Sequence, residues 1–153
     1  MRVGNGKGRM TLSKKDREKL RMMFGGRCAY CGYELPVKGW HADHVEPVYR
    51  KMKYVQSAYG SGGLAATGEV YFPERDTFDN LFPACQPCNT HKGPLLLDSW
   101  RKELERITGI LQRGYPTYRH AVRFGQVVER PGPIVFWFEQ YRAEQAASRK
   151  IEG

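Results

Sequence analysis

Two Cys-x-x-Cys pairs, Cys28-Ala29-Tyr30-Cys31 and Cys85-Gln86-Pro87-Cys88, hold every cysteine of this 153-residue chain and stand fifty-three residues apart. A pair at this spacing forms a tight knuckle with both sulfurs on one side. Two knuckles supply the four soft ligands of a tetrahedral zinc site. With all four positions filled by protein, such an ion is structural rather than catalytic. The gap exceeds that of a compact finger, so the ion would staple distant segments together. The competing reading is two redox dithiols or a pair of disulfides; a thioredoxin-type motif would need a βαβ context, which is missing here.

The surroundings narrow the class. No apolar run is long enough for a transmembrane helix. The start, Met1-Arg2-Val3-Gly4-Asn5-Gly6-Lys7-Gly8-Arg9, lacks the apolar stretch of a signal peptide. We therefore expect a cytoplasmic, intracellular protein with no membrane partner, in which disulfides are disfavoured. Lys and Arg number 25 against 16 Asp and Glu, a formal net charge of +9. That favours a polyanion such as nucleic acid, or an anionic surface. Residues 1–27 carry nine of these cations and two acids, so the basic character is mostly N-terminal.

Residues 1–12 read as a flexible basic arm. Ser13, with Asp16 three residues on, predicts a helix N-cap. The helix would run from about Lys14 to Phe24 and stop at Gly25-Gly26. Lys14, Arg17 and Arg21 form a basic row on it, either a solvated face or one that meets phosphates. Residues 49–79 show no clear periodicity and read as a long functional loop, with Gly60-Ser61-Gly62-Gly63 at a flexible point and Glu69–Phe72 as a short strand. Asp98 is the expected cap of a second helix with Trp100, Leu104, Ile107 and Leu111 on one face, stopped by Gly114 and Pro116. A shorter helix follows through Tyr118 to Phe124. Ile134–Phe138 reads as a buried strand or the start of a buried helix, and the polar tail from Arg142 as a fraying end. Residues 94–153 thus form an α-rich extension.

Between and around the cysteines lie His41-Ala42-Asp43-His44-Val45-Glu46-Pro47, Asp79-Asn80-Leu81 and Asn89-Thr90-His91-Lys92-Gly93. Each fragment alone is weak. In this order, interleaved with the two cysteine pairs, they resemble the HNH endonuclease family of the zinc-containing type. Its pattern is Cys-x-x-Cys, Asp-His-x-x-Pro, Asn-Leu, then Cys-x-x-Cys-(Asn or His)-x-x-Lys. The match covers residues 28–93, and one departure is the long stretch between His44 and Asn80. The resemblance implies an α+β fold with a ββα-metal (His-Me finger) core over residues 13–93, hydrolysing phosphodiesters with one divalent ion.

Cutting a phosphodiester needs an activated water, a Lewis acid and fixed geometry. An unperturbed histidine, with a pKa of about 6.5, offers a neutral imidazole at physiological pH, so His44 is the expected general base. Asp43 is a hard oxygen ligand for Mg²⁺ or Mn²⁺. The resemblance implies Asn89 as the second ligand and Asn80 as a structural residue bonding the backbone of the loop that carries His44; a cap or turn role for Asn80 is the plain alternative. Lys92 reads as a phosphate or cleft-rim contact, or as a solvated lysine. His41 is placed at the metal, behind Asp43 or against Trp40, and His91 at phosphate or in solvent. The expected activity is cleavage of DNA, leaving 5′-phosphate and 3′-hydroxyl ends, with a homodimer or a phage packaging or processing partner compatible with the family's biology. The rival is a non-catalytic, zinc-stabilised DNA-binding or phage assembly protein.

Overall fold

The computed structural model describes residues 10–151. Most of the expected arm, residues 1–9, lies outside the described residues. Residues 10–12 do not continue a free arm: Met10 and Leu12 pack against the core, and the Met10 N–H donates to Asp76 Oδ2 at 2.6 Å.

The first helix, α1 (Lys14–Arg21), starts at Ser13, whose hydroxyl accepts from the Asp16 N–H. It buries Leu20, and the chain leaves through Gly25 and Gly26, both at positive φ. Two short strands, β1 (His41–His44) and β4 (Leu81–Ala84), pair antiparallel with Asp43 opposite Phe82 and His44 opposite Leu81. All four β4 residues are buried. Helix α2 (Gln86–Lys92) follows β4 directly, with Cys85 at its N-cap and Pro87 in its first turn.

Residues 49–79 are not a loop. Strands β2 (Arg50–Gln56) and β3 (Gly62–Val70) form an antiparallel hairpin of their own, turning through 57–61. Tyr49 enters it in the left-handed region at φ 41°, and its carbonyl accepts from the Tyr71 N–H. Two single-turn 3-10 segments, Pro73–Arg75 and Phe78–Asn80, return the chain to β4.

The second expected helix is two: α3 (Leu97–Glu105) and α4 (Ile107–Gly114), divided at Arg106. Asp98 lies in the first turn of α3 and is not its cap. Pro116 begins α5 (Pro116–Arg123) rather than only ending the helix before it, as its fixed φ and missing N–H allow. Ile134–Phe138 resolves to the entry of a helix, α6 (Trp137–Ile151), so the tail from Arg142 is helical as far as Ile151.

The core is aromatic. Tyr30 meets Trp100 edge-on at 5.0 Å and Phe136 at 5.6 Å, and Phe82 joins it to Phe24 and Phe138. Phe136 and Phe138 are therefore spent inside the fold. Helix α6 also grips the first knuckle: the Trp137 and Phe138 N–H groups donate to the Tyr30 and Ala29 carbonyls at 3.0 and 2.8 Å.

Candidate functional site

The four cysteine sulfurs gather in one cluster, all within 4.8 Å of one another. Cys31 Sγ and Cys85 Sγ, from different knuckles, are 3.7 Å apart. Sulfurs at the corners of a tetrahedron around zinc, with bonds of about 2.3 Å, would be about 3.8 Å apart. A disulfide would need about 2.05 Å, and all four cysteines are free. The cluster is compatible with a structural metal such as zinc.

The first knuckle turns at Gly32, at φ 74°, where any Cβ would press on the Trp137 ring at 3.2 Å. Hydrogen bonding from Cys88, assisted by the N–H groups of Cys31, Cys85 and Tyr30, brings the Cys28 thiol down to about 5. Donation to Cys28 drives Cys88 the other way, and burial pushes Cys31 up to about 11. Sulfurs this close cannot all ionise without a cation among them.

Next to this cluster, an open cleft of about 1000 Å³ is lined by His41, Asp43, His44, Asp76 and Asn89, among others. The structure thus brings together the histidine–aspartate pair of β1 and the asparagine of α2. His44 Nε2 lies 2.8 Å from Asp76 Oδ1, with both side chains mostly shielded from solvent. Asn89 Nδ2 donates to His41 Nδ1 at 2.7 Å, which ties His41 to Asn89. Asn80 clamps the segment after His44: its Oδ1 accepts from the Glu46 N–H at 2.9 Å, and its Nδ2 donates to the carbonyls of Glu46 and Arg75.

Asp43 is buried, and its Oδ2 accepts from the Tyr30 hydroxyl and the Lys92 ammonium. Burial raises its carboxyl above the usual carboxylate range, opposed by Lys92 and Tyr30. The same burial, with the nearby Asp43 charge, raises Tyr30. Lys92 is only 1% exposed and also donates to the His44 carbonyl at 2.8 Å. It is neither solvated nor free for phosphate, which corrects the sequence expectation. His91 Nδ1 accepts from the Trp100 indole at 2.7 Å, a contact to the core.

The basic row of α1 divides. Arg17 lies over the Trp40 ring at 4.3 Å, donates to the Trp40 carbonyl and lines the cleft. Arg21 is held by Glu18 and the Leu35 carbonyl. Lys14 is exposed on the helix surface.

Asp76 and Tyr30 were not singled out from the sequence. Tyr30 sits inside the first Cys-x-x-Cys pair, where an aromatic reads as core. Asp76 falls in the stretch without periodicity, and only its place four residues before Asn80 ties it to a motif.

The chain has no significant match among protein-family models, curated proteins or solved structures.

Proposed function

We propose that this protein is a metal-dependent endonuclease of the HNH type that hydrolyses DNA phosphodiester bonds. The observation that carries this reading is the shared cleft: His44 held at Nε2 by Asp76, with Asp43 and Asn89 lining the same space. The pairing of β1 with β4, followed by α2, supports a ββα-metal reading.

An ionised Asp76 accepts the Nε2 proton of His44 and so fixes the tautomer. The lone pair is then on Nδ1, the atom that takes a proton from water as general base. The resulting hydroxide attacks phosphorus in line, the bond to the 3′ oxygen breaks, and that oxygen leaves with a proton from solvent. Lys92, bonded to the His44 carbonyl, and Asn80, bonded to the Glu46 N–H and carbonyl, hold the backbone at the base and just after it.

The donor set fits a hard divalent cation. The two Asp43 contacts fall on Oδ2, and Oδ1 takes part in neither. Asn89 spends its amide nitrogen on His41, not its oxygen, the atom such a cation binds. Mg²⁺ or Mn²⁺ on Asp43 and Asn89 would supply Lewis acidity to the phosphate and the leaving oxygen. The cysteine cluster, as a zinc site, would be separate and structural.

A supercoiled-plasmid assay tests the reading. Wild-type protein should nick or linearise DNA with Mg²⁺ or Mn²⁺, stop with EDTA, and lose activity in His44→Ala with zinc content unchanged. DNA binding without metal-dependent cleavage by the wild type would favour the non-catalytic rival.

A further inference from the structure

The β2–β3 hairpin contributes nothing to the core. Every β2 residue but Lys51 is exposed, as is every β3 residue but Ala65 and Val70. It carries Tyr54, Leu64 and, at the turn, Tyr59 into solvent, the last 97% exposed. Its charges are Arg50, Lys51 and Lys53 against a single acid, Glu69. Glu69 faces Lys51 at 3.4 Å; among the described residues, Arg50 and Lys53 pair with no carboxylate. The base of the ribbon is part of the cleft wall: Tyr49, Arg50 and Val70 line the same space as His44 and Asp43.

We propose that this hairpin is a DNA-gripping ribbon that lies in the major groove of the duplex whose scissile strand sits at His44. The assignment rests on the nuclease reading. Three features point to it. The exposed cations complement a polyanion. The ribbon rises from the cleft rim, so a backbone seated at His44 passes its base. Its size suits a groove: seven residues of β2 reach about 23 Å, and a two-stranded ribbon fits a major groove about 12 Å wide. Opposite Lys53 and Val55, β3 offers only Ala65 and Gly63, so the ribbon is thin on that face. Lys53 is placed for phosphate on this face, and Tyr54, paired with Leu64 on the opposite face, for sugar or base edges.

The test uses the full chain with His44→Ala, without added Mg²⁺ or Mn²⁺, so that binding is read without cleavage. A fluorescein-labelled duplex is titrated by anisotropy at several salt concentrations. Adding Lys53→Ala should raise Kd several-fold and make the salt dependence shallower by about one phosphate contact. Adding Tyr54→Ala or Tyr59→Ala should raise Kd with the salt slope unchanged. Circular dichroism should match the parent for each. Duplex affinity within twofold of the parent in all three, no duplex binding by the parent, or tighter binding to the single strand would overturn the groove assignment. Light scattering supplies another overturning result: a dimer lost in the tyrosine variants with DNA affinity intact makes the hairpin an interface between copies. The two readings fail separately. If the parent with His44 restored cuts DNA and the hairpin variants bind and cut like it, the ribbon falls and the nuclease stands. If nothing cuts but the variants weaken duplex binding, the ribbon stands and the catalytic assignment falls.

Discussion

Lys92 Nζ lies 3.0 Å from Asp43 Oδ2 with both side chains buried, joining the last turn of α2 to the strand that carries the proposed base. Removing one member leaves the other charged in a dry site, a loss of about 3 kcal/mol or more. Lys92→Met should therefore unfold at markedly lower urea. Adding Asp43→Asn to Lys92→Met should recover part of that loss, because the stranded carboxylate is gone. A double variant as unstable as the sum of the singles would show that the pair contributes through packing alone.

His44 and Asp76 come from segments separated by the whole hairpin, and in the proposed mechanism their contact orients the ring rather than binding substrate. Asp76→Asn keeps shape and an acceptor but no longer imposes one tautomer. Cleavage kcat should fall by about 10–100-fold, the scale at which orienting partners of functional histidines act, with KM for DNA little changed. Nitrogen-15 NMR of the His44 ring at fixed pH should show Nε2 protonated in the wild type and a mixture in Asp76→Asn. A KM effect with kcat intact would move Asp76 to substrate binding.

The cysteine cluster touches the candidate cleft through its own knuckles. Tyr30, between Cys28 and Cys31, donates to Asp43, and Asn89 directly follows Cys88. Metal analysis should find one zinc per chain. Stripping it with a strong chelator should abolish the near-ultraviolet circular dichroism of the Tyr30–Trp100–Phe136 cluster together with activity. A brief, weaker chelation that removes only Mg²⁺ or Mn²⁺ should stop cleavage reversibly with that signal intact. Cleavage surviving complete zinc loss would separate the two sites.

The legible parts of this fold carried local chemistry. Ser13 and Asp16 announced α1 because capping is a contact three residues long. The cysteine pairs announced their cluster because ligand spacing is set by the metal. The hairpin was illegible for the opposite reason: Gly62-Gly63-Leu64-Ala65-Ala66 has no buried face, so no period-two pattern marks it. The break at Arg106 is hidden in an apolar stripe that runs from Trp100 to Leu111 at one helical period. Lys92 read as a phosphate or cleft-rim contact, or as solvated, because nothing near it in sequence reveals that Asp43, forty-nine positions earlier, waits beside it. Tertiary partners of the motif residues, Asp76 above all, were the part that sequence spacing does not encode.

The grip of α6 on the first knuckle offers a pH test. Glu139, in the first turn of α6, accepts from Arg101 Nη2 and Nη1, at 2.6 and 3.1 Å, and from the Phe136 N–H. The Arg101 bond holds its carboxyl below the ordinary 4.5, with the Phe136 N–H adding to the effect. A group whose folded pKa is depressed contributes its stability above the ordinary value and loses it as pH falls through the folded one. The site is partly open to solvent, so the contribution is modest, about 1 kcal/mol. Glu139→Gln should therefore be less stable than the wild type at about pH 7, and the gap should close as pH falls beneath the ordinary carboxylate range and through the lowered folded value, where the wild-type carboxyl protonates too. Urea unfolding across that range measures it. A gap that stays constant with pH would assign the loss to packing around Phe136 rather than to the charge on Glu139.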